Sequence, residues 1–448
     1  MQTMDKYVIT GGNVLKGEVK ASGAKNAALK ALVAACLTDE EVVIENVPEI
    51  ADVYVMLEIM KELGAKVTFS DHTVRVHMKE FSTHKLSLEK AAQARTSSMF
   101  IAPLLARNKE AVVPNPGGCR LGARPIDRTI EGIAQMNAEI NYDSEDGYFH
   151  ARTTGLKGID YTFTKNTHTG TETLILAAAL ANGTTLLHNA AEEPEIDDLI
   201  NLINAMGGNV KRTDKREITI IGAEKLHGTT YTISPDRNEV VTFAIMAYVT
   251  KGDIFVRDAQ KVDLSAFFEK LDQAGALYEK KDDGVRFYYE QPLKAVSVET
   301  AIYPGFMTDW QAPWAVLMTQ AVGESVIHET VFENKLSYIK DLLKMGASVS
   351  LFNPEVSDPE KVYNFNLEDN DPSYFHAVRI TGPKHLHNAV VTMADIRAGA
   401  AVVLAALSAT GVSYILDVQK LDRGYEHFEE RIQSLGASIK RIRGEEAV

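Results

Sequence analysis

One phrase of sequence returns six times along the chain, and it limits the fold more than any other feature. A helix-like stretch ends in a short bend and a strand follows: MKELGAKV from Met60, IAQMNAEI from Ile133, INAMGGNV from Ile203, LDQAGALY from Leu271, LLKMGASV from Leu342 and IQSLGASI from Ile432. Self-similarity of this kind marks one supersecondary unit used repeatedly. The bend carries Gly64, Asn137, Gly207, Gly275, Gly346 or Gly436, the residue types that suit a left-handed helix C-cap. Successive bends lie 73, 70, 68, 71 and 90 residues apart, and the long last interval holds a polar insertion at 353–375.

Each unit has a second helix that is apolar nearly all round, such as the one in LAAALANGTTLLHN or LAALSATGVSYILD, and a strand after it. A helix with no polar face is expected to be buried. The other helix of each unit, such as DDLINLINAM, is amphipathic and belongs at the surface. Alternating strands and helices predict an α/β fold of six βαβ-type repeats. The last unit stops at GASIKRIRGEEAV without its final strand, and VITGGNVLKG at 8–17 is a close copy of the missing piece. The N-terminal strand is therefore expected to complete the sixth unit. Two lobes of three repeats follow: 22–232, and 1–21 with 233–448. Two chain crossings at a cleft would then make a hinge.

Composition narrows the function. The 448 residues are 45% hydrophobic and 24% charged, ordinary globular usage. With 47 Lys and Arg against 61 Asp and Glu the formal charge is −14, which argues against a nucleic-acid coat but leaves small anions open. Two cysteines, Cys36 and Cys119, make no disulfide scaffold and point to a reducing, cytoplasmic setting. The start MQTMDKYVITGG lacks a signal-peptide pattern. The apolar runs are too short to span a bilayer, so no membrane partner is expected.

The starts of the six buried helices carry Lys25 and Asn26, Arg95, Lys165 and Thr167, Arg237, Thr308 and Asp309, and Asp395 and Arg397. Helix N-termini offer free N–H groups and a positive dipole end, which suits anions, whereas a cation there is locally unfavourable for the helix. Cations recurring at equivalent repeat positions describe a polyanion site with an Asp in its midst, where these helix ends converge. A second feature is the loop VVPNPGGCRLGARPID at 112–127, whose Pro and Gly mark irregular exposed backbone. It holds Cys119, with Arg120 and Arg124 close enough in sequence to favour thiolate. Cys36, inside ALVAACL, reads as core. No metal-ligand spacing surrounds His385 and His387, and no Gly-rich nucleotide motif is present.

Six segments together resemble the UDP-N-acetylglucosamine 1-carboxyvinyltransferases, the enolpyruvyl transferases that open peptidoglycan synthesis. They are SGAKNAAL at 22–29, PNPGGCRLGARPID at 114–127, AAEEPEI at 190–196, TVFEN at 330–334, DIRA at 395–398 and DRGYE at 422–426. The resemblance runs nearly end to end, and the Gly-Gly-Cys loop separates this family from the shikimate-phosphate enolpyruvyl transferases. It implies a two-lobed inside-out α/β barrel, three units per lobe.

The resemblance also implies an activity: transfer of enolpyruvyl from phosphoenolpyruvate to the 3-hydroxyl of UDP-N-acetylglucosamine, with release of phosphate and no metal or redox cofactor. By match to the family's motifs, Lys25, Arg124 and Arg397 look like phosphoenolpyruvate contacts, with Arg423 nearby. Asn26, Arg95, Lys165, Thr167, Asp309, Val331 and Phe332 and the stretch Pro125 to Asp127 look like sugar-nucleotide contacts. Arg237, Asp395 and Lys335 join the substrate-binding set, and Lys25 is counted among the catalytic residues. Asp309 resembles the base for the 3-hydroxyl proton. Cys119 resembles a general acid that can add to phosphoenolpyruvate, so fosfomycin is expected to alkylate it.

Some positions depart from the family's pattern. Lys335 stands for the usual Arg after TVFEN, Tyr303 for a usual His, Thr167 to Thr171 for the usual Ser-Val-Gly-Ala-Thr, and the insertion at 353–375 is unusual. A different nucleotide or sugar-nucleotide acceptor, or a catalytically silent UDP-sugar-binding paralogue, are the alternatives.

Overall fold

The computed structural model describes residues 4–115 and 126–444. Among these, the chain divides into two compact units, one of residues 4–22 and 235–444, the other of residues 23–115 and 126–234.

The second unit repeats one motif three times, most completely at 160–221. An edge strand (Asp160–Thr162) leads through a buried helix (His168–Ala178) to a strand paired parallel with it (Thr184–His188). A surface helix (Pro194–Ala205), an outer strand (Asn209–Asp214) and an inner antiparallel strand (Glu217–Ile221) complete the sheet. The strands alternate buried and exposed residues, as in Glu217–Ile221, so each sheet turns one face to the core. The buried helices are mostly apolar and enclosed; in His168–Ala178 every residue from Gly170 onward is buried, with the charge of Glu172 met by Lys30. Each fully buried Leu, Ile, Val or Phe contributes about 1.5–3 kcal/mol.

The six bends behave as their sequence requires. Gly64, Asn137, Gly207, Gly275, Gly346 and Gly436 all have positive φ, from 71° at Asn137 to 109° at Gly64. Only Gly, or less readily Asn, takes that conformation without a Cβ penalty.

In the unit of 4–22 and 235–444, the helices Arg237–Val249, Gln311–Gln320 and Ile396–Ser408 pack on one another. The N-terminal strand Lys6–Thr10 lies between Val412–Leu416 and Ser438–Ile442, antiparallel to both. It supplies the strand that the last repeat lacks.

Two arrangements differ from a plain tandem repeat. Lys16–Lys20 precedes the helix Lys25–Ala34, yet it pairs parallel with Asp253–Arg257. Thr230–Thr232 precedes the helix Arg237–Val249, yet it pairs parallel with Glu41–Glu45. Each of these edge strands thus pairs inside its own compact unit and not with the repeat whose helix follows it. The buried helix of the second repeat is also not continuous: Arg95–Phe100 is a 3-10 turn, Ile101–Pro103 is α-helical and Leu104–Asn108 is a π-turn. Pro103 causes this, because it has no N–H and its ring crowds the carbonyl four residues back. No helix among the described residues is long and apolar enough to cross a membrane.

Candidate active site

In the unit of 4–22 and 235–444, the turn Thr308–Trp310 opens the buried helix Gln311–Gln320 and presents Asp309. Lys335 Nζ lies 3.0 Å from Asp309 Oδ1, and Arg397 Nε lies 3.5 Å from Oδ2. Arg397 follows the helix cap Asp395, whose Oδ1 accepts the N–H groups of Arg397 and Ala398 at 2.9 and 3.0 Å. Asp395 therefore works locally as an N-cap. Arg397 Nη1 donates to Tyr425 Oη at 3.1 Å, and Tyr425 Oη shares a 2.8 Å hydrogen bond with Thr242. Burial opposes the charge of Arg397, but Tyr425, Asp309 and Asp236 outweigh it and hold the guanidinium firmly protonated. Lys335 and Arg397 are both buried, and the half-buried Asp309 carboxylate sits between them.

A carboxylate that sequence reading missed organises the neighbouring turn. Glu329 is 1% exposed. Its Oε1 accepts the backbone N–H groups of Val331 and Phe332 at 2.8 and 2.9 Å, and its Oε2 accepts Thr308 Oγ1 at 2.8 Å and Gln311 Nε2 at 2.6 Å. Burial pushes its pKa up, while Lys335 and these donors pull the other way. Glu329 ties the turn holding Asp309 to the turn holding Val331 and Phe332. Its one sequence signal is an acid at the end of a strand, just before TVFEN.

Other expected residues of this unit have separate supports. Arg237 is buried and lies 5.1 Å over the ring of Tyr303, whose Oη donates to Asp263 at 2.5 Å. The residue that departs from the family pattern here is thus the aromatic partner of an expected site cation. Arg423 ends the 3-10 segment Val418–Arg423. The residue before it, Asp422, accepts both Nη groups of Arg441 at 2.9 and 2.6 Å, and Arg441 also reaches Asp5 at 2.9 Å. Arg441 of the last strand therefore ties the DRGYE turn to Asp5, just ahead of the first strand.

In the unit of 23–234, Lys25 is the first residue of helix Lys25–Ala34 and pairs with Asp52 at 2.8 Å. Asn26 follows it, half-buried. Arg95 opens the 3-10 turn Arg95–Phe100. Thr167 caps the helix His168–Ala178, its side chain accepting Gly170 N at 3.2 Å, with Lys165 half-buried just ahead. His168 Nε2 lies 3.1 Å from Glu172 Oε1 and Lys30 Nζ lies 3.2 Å from Glu172 Oε2. Asp127 begins the helix Asp127–Gln135 and is exposed. Cys119, Arg120, Arg124 and Pro125 lie outside the described residues. Cys36 is buried, and burial pushes its thiol up to about 12, as a core cysteine requires.

For metals, the described residues bring together Asp143, Asp146 and His150 within 4.8 Å, and Asp146 and His150 already pair at 3.0 Å. For anions the unit of 4–22 and 235–444 is richer: two buried cations, Lys335 and Arg397, flank the Asp309 carboxylate. Such a group can hold an anion while a carboxylate accepts a proton from a hydroxyl.

Comparison with known proteins adds to this geometry. Residues 9–432 match the family described as EPSP synthase (3-phosphoshikimate 1-carboxyvinyltransferase). A UDP-N-acetylglucosamine 1-carboxyvinyltransferase of Acidobacterium capsulatum is 40% identical over 444 residues, covering 98% of this chain and 96% of that protein. One of Koribacter versatilis is 40% identical over 443 residues, covering 98% and 97%. Among solved structures, the enolpyruvyl transferase NikO from Streptomyces tendae superposes with a TM-score of 0.85 at 22% identity, covering 98% of this chain and 99% of that one. An EPSP synthase from Acinetobacter baumannii does so with a TM-score of 0.75 at 19% identity, covering 98% and 100%. At those identities the likeness to the solved structures is one of fold.

Proposed function

Because the chain belongs to the UDP-N-acetylglucosamine 1-carboxyvinyltransferases, within the wider EPSP synthase family, we propose that it transfers enolpyruvyl from phosphoenolpyruvate to the 3-hydroxyl of UDP-N-acetylglucosamine. Phosphate is released, and the product enters peptidoglycan synthesis. The observation that carries the reading is the Asp309 carboxylate held between Lys335 and Arg397, in a chain 40% identical over nearly its whole length to enzymes of that name.

In the proposed chemistry, Asp309 accepts the proton of the sugar 3-hydroxyl as its oxygen bonds to C2 of phosphoenolpyruvate, and Cys119 delivers a proton to C3. The tetrahedral adduct then loses phosphate from C2 and a proton from C3, which restores the double bond. Lys25, Arg124 and Arg397, with Arg423 nearby, are assigned to the carboxylate and phosphate of phosphoenolpyruvate. Fixed cations stabilise the charge that develops during addition and elimination without reorganising in the transition state. Asn26, Arg95, Lys165, Thr167, Val331, Phe332, Pro125 and Asp127 are assigned to the sugar nucleotide, and Arg237, Asp395 and Lys335 to the surrounding substrate-binding set. Lys335 differs from its counterpart assignment in one respect: its amine meets Asp309 directly, so it acts on substrate through the base. A cytoplasmic location belongs to this reading, on the reducing setting that two cysteines suggest.

The test is phosphate release from phosphoenolpyruvate with a panel of UDP-sugars and nucleotides. Release with UDP-N-acetylglucosamine supports the proposal. Release with another acceptor alone would favour the altered-acceptor reading, which Lys335, Tyr303 and Thr167 to Thr171 motivate, and no release with any would favour a silent binding protein. Fosfomycin is expected to add covalently to Cys119 when UDP-N-acetylglucosamine is present; an unmodified thiol after long exposure would remove Cys119 from its role.

A further inference from the structure

The hairpins that join outer to inner strands are short in four repeats, spanning only 71–72, 144–147, 215–216 and 282–283. In the fifth, the connection between Ser348–Phe352 and Ala377–Gly382 runs through 353–376. This loop accounts for the one stretched interval in the repeat, and it folds back on its own sheet. A short helix, Pro359–Val362, leads into Tyr363 and Phe365, both buried. Their rings pack on His376 at centroid distances of 5.0 and 5.2 Å, and Tyr363 meets His328 edge-on at 5.7 Å.

Several polar contacts of the loop reach one short segment. Tyr363 Oη and His328 Nε2 lie 3.2 Å apart. Asn364 N donates to the carbonyl of Thr330 at 2.8 Å, and Glu329 N donates to the carbonyl of His376 at 2.7 Å. His328, Glu329 and Thr330 run directly into Val331 and Phe332. On its inner side the same turn is tied down by the Glu329 carboxylate and by Thr330, whose N–H and Oγ1 bond Thr300 at 2.9 and 2.5 Å. The loop closes the other side. An uncovered turn at a strand end would fray readily; one hydrogen-bonded on both sides keeps its backbone in one place.

We propose that the 353–376 loop is a specificity element of the acceptor site, fixing the Thr330–Phe332 turn from outside, with Tyr363 and Asn364 as its positioning residues. The proposal rests on the reading that Val331 and Phe332 contact the sugar nucleotide. Positioning of a contact segment to within a fraction of an ångström governs how well the bound substrate is aligned, so loosening the turn weakens the acceptor and leaves phosphoenolpyruvate, held by other segments, unaffected.

Asn364→Pro removes the donor to Thr330, and Tyr363→Phe removes the hydroxyl at His328 while keeping the ring. Steady-state kinetics of both variants are expected to show KM for UDP-N-acetylglucosamine raised roughly 3–10-fold, with KM for phosphoenolpyruvate within about twofold of wild type. Hydrogen exchange at the Thr330, Val331 and Phe332 amides of the unliganded protein is expected to speed up about tenfold, with the helix Gln311–Gln320 unchanged. Unchanged exchange and unchanged acceptor KM in both variants would overturn the proposal, as would an equal rise in both KM values together with general loss of stability. If wild type turns over no acceptor, the functional reading fails, and the exchange result with binding of UDP-N-acetylglucosamine by calorimetry decides the loop: faster exchange with weaker binding upholds it, and no change in either overturns it.

Discussion

Lys335 Nζ lies 3.0 Å from Asp309 Oδ1 and 4.7 Å above the ring of Phe332. One ammonium group thus faces both the carboxylate proposed as base and an aromatic proposed to line the acceptor site. A lysine serves here because a single point charge reaches one carboxylate oxygen, leaving the other to Arg397.

Lys335→Met is expected to cut kcat/KM at least about tenfold, because the half-buried Asp309 carboxylate loses the ammonium at 3.0 Å and its fixed direction. Stability is expected to fall by about 1–3 kcal/mol. Lys335→Arg keeps the charge and is expected to recover most of the activity. Steady-state rates and urea unfolding of the two variants check this; a fully active methionine variant would show that the pair does not matter.

Glu329→Ala leaves four donors facing an apolar gap. Each hydrogen bond to a charged group is worth about 1.5–3 kcal/mol, so a net loss of about 3 kcal/mol or more in unfolding free energy is expected. Glu329→Gln is expected to lose far less, because Gln311 can turn its amide to accept from the new amide while Val331 and Phe332 keep their acceptor. Equal losses in the two variants would show that the charge, not the connection, is what matters.

The His168 imidazole adds a pH dependence. Burial alone would push it down, but Glu172 at 3.1 Å outweighs burial and the opposing Lys30, with Glu193 adding to the pull, and its pKa is raised above 6.5. A group that is more basic in the folded state stabilises it fully below the unfolded pKa, and this stabilisation is lost as pH rises through the folded value. Unfolding free energy of wild type relative to His168→Gln is therefore expected to be greatest below pH 6.5 and to decline above it. A pH-independent difference would contradict the pairing.

The helix caps give a prediction about the repeat itself. Gly275 has φ of 72° and the nearest atom to an added Cβ would be Gln291 Nε2 at 3.6 Å, so Gly275→Ala meets backbone strain alone, about 1–2 kcal/mol. At Gly346 an added Cβ would lie 2.8 Å from the ring of His387, and the cost is expected to be larger. Thermal unfolding of both variants checks the order; equal effects would contradict it.

The parts of the fold that were legible in the sequence are those written in strong local chemistry. Gly64 and its five counterparts mark the bends because few residues tolerate positive φ, and the buried helices stand out because they have no polar face. The N-terminal strand could be matched to the open sixth unit by its likeness to 378–388. The pairing of the edge strands Lys16–Lys20 and Thr230–Thr232 was not legible: each is short, largely polar, and chooses its partner by tertiary contact. The break at Pro103 lay in plain view but inside a run whose apolar character suggested a continuous helix. In the site, Asp309 and Arg397 were found through their place at helix starts and their motifs. Glu329 was not, because a single acid at a strand end looks like a surface residue until four donors are seen converging on it.

The central claim is the chemistry assigned to the acceptor hydroxyl, and one measurement tests it most directly. Purified protein is incubated with phosphoenolpyruvate and UDP-N-acetylglucosamine, and the product is examined by NMR. The account predicts a vinyl ether on the sugar 3-oxygen, formed in step with free phosphate and lost in Asp309→Asn, which should still bind the sugar nucleotide. Phosphate without the ether, an ether on another oxygen, or near-normal turnover by Asp309→Asn would contradict it.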